Sequence, residues 1–273
     1  MKTKLQRLGR LMLVLAAATT PLHAALARAQ NDPKNIVAMG DSITRATDVC
    51  CWYGDHPSYS WSTGFNPLDG LHSHYERLLE REPSIWGDEF NDAHAGAKMS
   101  DGPSQAATAV SHSADYVTIL LGANDVCTRS PDTMTGVDDF RSLFEATMRT
   151  LESGLPGTTK IFVASIPNVR RLWSLFHDDA TARYIWRTYH VCQSMLADSG
   201  TLDDRRHVYH RTLRLNEALA DVCTRYSNCR YDGGAVFDYA FSSDEVSRLD
   251  YFHPNRNGQN ALAGVTWAAS WWA

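Results

Sequence analysis

The chain has 273 residues, of which 44% are hydrophobic and 21% are charged, a globular composition that excludes disordered, collagen-like and coiled-coil proteins. Its net charge is −5, but the first 29 residues hold five basic and no acidic residues, which leaves 21 basic against 31 acidic residues in the remainder. Such an acidic remainder lacks the basic footprint expected for binding nucleic acid or an anionic membrane surface.

The amino terminus has the pattern of a secretory signal peptide. A basic stretch precedes the apolar run Leu11–Ala18, and Ala27-Arg28-Ala29 provides a small-residue cleavage site. The apolar run is too short for a transmembrane anchor. We therefore expect a signal peptide over residues 1–29, cleavage after Ala29, and a single extracellular or periplasmic domain over residues 30–273 without a stable membrane anchor.

The rest of the chain alternates strand and helix patterns, which is typical of an α/β fold with a parallel, doubly wound sheet. Hydrophobic periodicity assigns each element to one of the two types. In chain order the predicted elements are a strand at Ile36–Met39, a helix at Leu68–Leu79, a strand at Glu89–Ala93, a helix at Ser104–Ser111, a strand at Tyr116–Leu121, a helix at Val137–Leu151, a strand at Ile161–Ile166, helices at Ala180–Ala197 and Leu202–Tyr226, a strand at Ala235–Phe237 and a closing helix at Gln259–Trp271.

The chain contains six cysteines, and an even number in an exported protein indicates disulfide bonds. None of them shows the C-x-x-C spacing of a zinc site. Cys223 and Cys229 are close in sequence and are expected to pair. The vicinal cysteines are expected to reach distant partners, so that Cys50 and Cys51 bond to Cys127 and Cys192.

Two motifs far apart in the sequence carry complementary chemistry. The segment Gly40-Asp41-Ser42-Ile43 follows the first predicted strand, where α/β folds place reactive groups, although a serine there can also simply cap a helix. Near the carboxyl end, Asp250 precedes His253 by three residues. A serine hydroxyl needs a base to take its proton, and the base needs a group that orients it. Ser42, His253 and Asp250 fit these three roles.

Two further loops after predicted strands offer hydrogen-bond donors for an oxyanion. In the first, His94-Ala95-Gly96-Ala97, a glycine allows close approach of its backbone N–H. In the second, Gly122-Ala123-Asn124-Asp125, the Asn124 side-chain amide can donate. Acyl transfer needs such donors because negative charge develops on the carbonyl oxygen during attack.

Taken in order, these four blocks resemble those of the GDSL or SGNH hydrolases, which contribute a serine, a glycine, an asparagine and a histidine. The resemblance spans nearly the whole mature chain, with Ile43 in place of the usual leucine. It implies a three-layer α/β/α sandwich with a mostly parallel central sheet, and hydrolysis of carboxylic esters without metal or cofactor. It also implies a nucleophile, a base, an orienting acid and an oxyanion hole: Ser42, His253, Asp250, and the backbone N–H groups of Ser42 and Gly96 with the Asn124 side chain.

The substrate class is less defined by the sequence. Aromatic residues in the loop Cys51–Trp61, and a resemblance of Gly122–Cys127 to secreted phospholipase-type members, favour acyl esters of lipids over sugar O-acetyl groups or other small esters. A metal-dependent phosphoesterase is disfavoured because its Asp-x-His and Gly-Asn-His runs are absent from the sequence. A binding module without activity is disfavoured because every reacting position is filled. We expect a monomer.

Other aromatic and histidine side chains are interpreted as structural residues rather than as parts of the site. Aromatic residues at helical spacing can line a lipid groove but more often pack in the core; here they are Trp173, Phe176, Trp186 and Tyr189. Several histidines lack a ligand pattern and are interpreted as surface residues or as hydrogen-bonded structural residues: His56, His72, His74, His207 and His210.

Overall fold

A parallel five-stranded sheet forms the centre of the computed structural model, which describes residues 32–273. The predicted signal peptide therefore lies outside the described residues. The strands are β1 Ile36–Gly40, β2 Glu89–Asn91, β3 Tyr116–Leu120, β4 Lys160–Val163 and β5 Cys229–Tyr231. They are parallel and are arranged in the order β2-β1-β3-β4-β5. The connections from β1 run first toward one edge of the sheet, to β2, and then toward the other edge, from β3 to β5. Open α/β sheets bind their ligands at such a switch point, which here lies between β1 and β3.

The two central strands are apolar because helices and loops cover the sheet. Every residue of β1 and of β3 is buried, and the register aligns Ile36 with Tyr116 and Gly40 with Leu120. Continuous burial of this kind explains why these strands read as unbroken apolar runs rather than as alternating patterns. The register also brings the carboxyl ends of β1 and β3 to the same edge of the sheet, so the loops that follow them lie side by side.

Helices surround this sheet as expected for a three-layer α/β/α sandwich, and the predicted fold class is confirmed. No helix among residues 32–273 is long and apolar enough to cross a bilayer. The helices of the described chain are α1 His74–Arg81, α2 Gly102–Ser111, α3 Ala123–Val126, α4 Val137–Gly154, α5 Arg170–Phe176, α6 Ala180–Thr188, α7 Gln193–Leu196, α8 Leu202–Cys223, α9 Ala235–Asp238 and α10 Arg256–Ala268.

The first helix begins later than its predicted start at Leu68. Ser73 Oγ accepts a hydrogen bond from the Glu76 backbone N–H at 3.0 Å, and the Glu76 carboxylate accepts one from the Ser73 backbone N–H at 3.0 Å. This reciprocal capping box satisfies backbone donors that would otherwise be unpaired at a helix start. It therefore fixes the start of α1 at His74.

The prediction of one helix over Ala180–Ala197 is wrong, because the segment divides into α6 and α7. His190 and Cys192 lie between them with positive φ angles of 55° and 41°. Residues other than glycine rarely adopt this conformation, and it cannot continue an α-helix. The turn leads into a disulfide between Cys192 and Cys127.

The predicted strand at Ala235–Phe237 is also wrong, since these residues belong to α9 and the fifth strand is Cys229–Tyr231. The Asp232 carboxylate accepts hydrogen bonds from the backbone N–H groups of Gly234 and Val236, at 2.8 and 3.0 Å. A carboxylate in this position caps a helix start rather than extending a strand.

The predicted pairing of the two cysteines close in sequence is confirmed, and the predicted bonds from the vicinal cysteines to distant partners are wrong. Cys223 bonds to Cys229, as expected. Cys127 bonds to Cys192, and the vicinal Cys50 and Cys51 bond to each other. Two hydrogen bonds from Ser194, to the carbonyls of Thr128 and Val126 at 2.8 and 2.6 Å, hold the segment after Cys192 against the end of α3 and bring the two distant cysteines together.

Candidate active site

The turn that carries Ser42 begins at Gly40, the last residue of β1, and this position requires glycine. A Cβ atom at Gly40 would lie 2.4 Å from Thr44 Oγ1 and 2.7 Å from the Leu120 carbonyl oxygen. Backbone and side chain therefore approach more closely here than any larger residue permits. The result is a tight turn at the carboxyl end of β1, which projects Ser42 from the edge of the sheet.

Two buried glutamines hold this turn from opposite ends. Gln105 on α2 exchanges both of its amide hydrogen bonds with Gly40, accepting from its N–H at 2.7 Å and donating to its carbonyl at 2.9 Å. Gln259 on α10 donates to the Ile43 carbonyl at 2.8 Å and accepts from the Trp61 N–H at 3.0 Å. Neither glutamine was predicted from the sequence to support the site. The signal that could have indicated them is a glutamine among the small apolar residues of an otherwise buried helix face.

The structure brings Ser42, His253 and Asp250 together, although 211 positions separate the serine from the histidine. Ser42 Oγ and His253 Nε2 are 2.8 Å apart, and His253 Nδ1 lies 2.5 Å from Asp250 Oδ2. The other Asp250 oxygen accepts from the backbone N–H groups of Phe252 and His253, at 2.9 and 3.1 Å. This loop includes Tyr251, whose φ angle is 55°. The carboxylate is therefore fixed on both oxygens, which orients the imidazole toward the serine.

Electrostatics in this cluster favour a basic imidazole. Burial by itself lowers the pKa of His253, but the hydrogen bond and the charge of Asp250, with smaller contributions from Asp48 and Asp41, raise it above its ordinary value. The pKa of Asp250 shows the reciprocal effect: burial raises it, but the bonds and charge of His253 hold it below its ordinary value. The pair is therefore arranged to stabilise an imidazolium next to a carboxylate.

Asp41, beside the serine, is a second buried carboxyl group with a different character. Burial raises its pKa to about 7, opposed in part by a hydrogen bond that its Oδ1 accepts from the Ile43 N–H at 2.9 Å. Within the described part of the chain, its Oδ2 is buried without a hydrogen-bond partner. A buried carboxyl oxygen without a donor favours the protonated form, so this group helps to shape the turn rather than adding a full negative charge.

The two predicted oxyanion donors lie beside Ser42. Gly96 has a φ angle of 80°, a conformation that glycine adopts without strain, and the place where its Cβ would stand is open space. Asn124 Nδ2 donates one hydrogen to the Ala97 carbonyl at 3.0 Å, which leaves its second hydrogen for another acceptor. Both residues line the same cleft as Ser42 and His253.

The cleft has a volume of about 550 Å³ and combines polar groups with an apolar wall. Trp186 and Phe176 are core residues, as expected, but Tyr189 is 67% exposed at the cleft, so its interpretation as a core residue is wrong. The aromatic loop after the serine contributes Tyr53. Apolar and carboxylate side chains that the sequence analysis did not assign to the site also line it: Asp48, Ile185, Val191, Leu249 and Phe252.

A metal ion would compete with the hydrogen bonds of this site. Among the described residues, Asp48, Asp250 and His253 are the set whose potential ligand atoms all lie within 4.8 Å of one another. His253 already uses both ring nitrogens, Nδ1 toward Asp250 and Nε2 toward Ser42. An ion bound there would have to displace one of these bonds, so the arrangement suits proton transfer better than metal binding.

Comparison with known proteins identifies the family of the chain. Residues 38–261 match the family model described as the GDSL-like lipase/acylhydrolase family. Similar solved structures include an extracellular lipase from Streptomyces rimosus (15% identity, 86% of this chain and 99% of that chain covered, TM-score 0.48) and a family 3 carbohydrate esterase from Clostridium thermocellum (13% identity, 86% and 94%, TM-score 0.46).

A further similar structure is an acetyl esterase variant with an acetate ion (16% identity, 84% of this chain and 92% of that chain covered, TM-score 0.47). No curated protein matches the chain. The family model covers most of the sequence, including the turn of Ser42 and the segment of His253. The protein therefore belongs to the GDSL-like lipase/acylhydrolase family and is a carboxylic ester hydrolase.

Proposed function

We propose that this hydrolase acts through Ser42 as nucleophile, His253 as general base and Asp250 as the group that orients and stabilises the imidazolium. The observation that carries the proposal is the continuous path of two short hydrogen bonds, 2.8 and 2.5 Å long, from the serine through the imidazole to the carboxylate. His253 takes the hydroxyl proton as Ser42 attacks the ester carbonyl, and then returns it to the leaving alcohol.

The oxyanion formed by this attack would be held by the backbone N–H groups of Ser42 and Gly96 and by the second amide hydrogen of Asn124. Each such donor typically contributes a few kcal/mol because it is already oriented when the charge develops. A water molecule, activated by His253, then attacks the acyl-enzyme and releases the acid. This cycle needs no cofactor, since each proton transfer has a side chain in place.

The cleft favours acyl esters of lipids with an uncharged alcohol. Its wall is formed by apolar and aromatic side chains, including Ile185, Tyr189 and Phe252, which suit an acyl chain. Two carboxylates, Asp48 and Asp250, line it, and within the described chain no lysine or arginine does. An anionic phosphate beside Asp48 and Asp250 would be repelled, so a neutral lipid ester is the preferred substrate.

A second cavity supports the same substrate class. It measures about 50 Å³, is mainly apolar and shares Phe252 with the cleft. Its polar side chains already have protein partners: Arg171 donates to the Phe241 carbonyl at 2.7 Å, and Glu245 accepts from the Tyr239 hydroxyl at 2.6 Å. The remaining lining is apolar, so this small cavity suits a few carbon atoms of a hydrocarbon chain.

We propose that the enzyme acts outside the cytoplasm, as a domain over residues 30–273, after removal of residues 1–29. All six cysteines are paired in disulfides, which persist in oxidising compartments. Mass spectrometry of the protein recovered from the culture medium or the periplasm tests this directly, because cleavage after Ala29 gives a mature chain that begins at Gln30.

Hydrolysis of p-nitrophenyl esters of increasing acyl length tests the reaction and the substrate class together. Ser42→Ala should lose about 10³-fold or more of kcat/KM, whereas Ser153→Ala, which changes an exposed serine on α4, should match the parent. EDTA should leave the rate unchanged. A rate maximum at medium or long acyl chains supports lipid esters, and a maximum at acetyl favours sugar O-acetyl groups. Parental activity in Ser42→Ala would contradict the proposed nucleophile.

A further inference from the structure

The loop that follows Ser42 is tied to the segment that carries Asp250 and His253. Ser247 Oγ donates a hydrogen bond to the Asp48 backbone carbonyl at 2.5 Å, and the Tyr53 hydroxyl donates to the Leu249 carbonyl at 3.2 Å. The backbone N–H of Ser247 in turn donates to the His253 carbonyl at 2.8 Å. These bonds fix the two loops relative to each other across the mouth of the cleft.

Within this arrangement the Asp48 carboxyl group points to the cleft. The residue has a φ angle of 54°, and its Oδ1 accepts a hydrogen bond from the Gly54 N–H at 2.6 Å. Its carboxylate, a carboxylate oxygen of Asp250 and a ring nitrogen of His253 lie within 4.8 Å of one another. A half-buried carboxylate at this distance from another one is electrostatically costly, so its position beside the reacting groups calls for a functional explanation.

We propose that Asp48 is a positioning residue of the hydrolase, which supplies a second negative charge beside the imidazolium of His253 and thereby acts on the reaction through the His253–Asp250 pair. This proposal rests on the function proposed above for Ser42 and His253. It adds a residue from a different loop, one that none of the four sequence blocks contains.

The proposed role of Asp48 depends on the total charge of the carboxylates around the His253 imidazole. In the described residues, the ionisable groups that act on His253 are Asp250 from its own loop, Asp48 from the loop after β1, and Asp41 from the turn of the serine. Burial raises the pKa of Asp48, and the neighbouring charge of Asp250 adds to this effect. When Asp48 is ionised, it stabilises protonated His253, so the base becomes stronger and the imidazolium formed during attack is favoured.

Removal of this charge should therefore have two opposite effects. In Asp48→Asn, His253 stays neutral down to a lower pH. The acid limb of the kcat/KM profile should therefore shift to lower pH by about 0.5–1 unit. The plateau rate should fall by about 3–10-fold, because the imidazolium is less stabilised in the transition state. A variant that merely loosened the loop would lower the rate at every pH without moving the limb.

The experiment compares pH profiles of kcat/KM for the parent, Asp48→Asn and Asp55→Asn with a short p-nitrophenyl ester. Asp55 is the matched control, since it lies in the same loop and accepts hydrogen bonds from Thr47 and Arg45 rather than facing His253. Asp55→Asn should keep the parental acid limb. Melting temperatures of all three proteins establish that each is folded at the pH values used.

Ser42→Ala in the same series separates the two proposals. If Ser42→Ala is inactive and Asp48→Asn gives a profile that is only a scaled copy of the parental one, the role of Asp48 is overturned while the triad stands. If Ser42→Ala retains parental activity, the proposed function is overturned and the role of Asp48 with it. A downward shift of the acid limb in Asp48→Asn alone supports the proposal.

Discussion

His74 is fully buried and the His253 side chain is only 13% exposed, but their surroundings give these two histidines opposite properties. His74 lies in the core with both ring nitrogens paired to hydroxyl groups, Nδ1 with Tyr116 at 2.9 Å and Nε2 with Thr266 at 2.8 Å. Burial lowers its pKa to about 3, with a smaller contribution from the charge of Arg77. His253 has a carboxylate partner instead, and its pKa is raised.

The comparison separates the effect of burial from the effect of the partner. A hydroxyl partner satisfies a neutral imidazole but cannot stabilise its charge, so burial keeps His74 neutral. A carboxylate partner stabilises the charged form, so His253 can take a proton when Ser42 gives one up. The first arrangement links α1, β3 and α10 in the core, and the second one suits the proton transfer that we propose at the edge of the sheet.

Replacement of the two histidines should produce the sharpest contrast in activity. His253→Ala should reduce kcat/KM by about 10³-fold or more, because Ser42 then lacks its base, while its melting temperature should fall by less than that of His74→Ala. Ester hydrolysis and thermal unfolding measured on the same samples check both parts. Near-parental activity in His253→Ala would show that another group accepts the serine proton.

The reverse pattern is expected for His74. His74→Ala removes a fully buried ring and leaves the hydroxyl group of Tyr116 without its partner, so the free energy of unfolding should fall by about 3–5 kcal/mol. The folded fraction should keep its kcat. Urea denaturation and active-site titration measure the two quantities separately, with the milder His74→Gln as a companion variant. A loss of kcat per folded molecule would instead connect the core histidine to the reaction.

The sequence allowed one of these histidines to be identified and left the other ambiguous. His253 follows Asp250 by three residues and completes a set of four ordered blocks, so its proposed role follows from local spacing and chemistry. His74 shows no such spacing, and its partners Tyr116 and Thr266 are 42 and 192 positions away. The sequence therefore allowed two interpretations, a surface residue or a hydrogen-bonded structural one, and the structure supports the second.

The errors of the sequence analysis arise from tertiary contacts in the same way. The pairing of Cys127 with Cys192 depends on how the segment after α6 docks on α3, and the exposure of Tyr189 depends on the end of α6 at Thr188. Asp48 shows no local pattern that would mark it, because its proximity to Asp250 is created by folding. The alternation of strands and helices and the choice of candidate site residues, in contrast, follow from periodicity and from loops at strand ends.

The most specific expected effect is the pH dependence of stability. His74 has a folded pKa of about 3 against 6.5 for an unperturbed histidine, so the unfolded chain binds a proton in this window and the folded protein does not. Stability must therefore fall as the pH decreases from 6.5 toward 3, by at most about 1.4 kcal/mol per pH unit from this residue. His74→Gln should lose this contribution and show a flatter slope than the parent.

His253 should act with the opposite sign. Its folded pKa is raised above 6.5, so the stability that it contributes is fully present below that value and is lost as the pH rises through the folded pKa. His253→Gln should accordingly flatten the neutral-to-alkaline side of the profile, while His74→Gln flattens the acid side. Urea denaturation at a series of pH values measures both slopes. Identical changes in the two variants would mean that burial, rather than the partner of each imidazole, determines how it titrates.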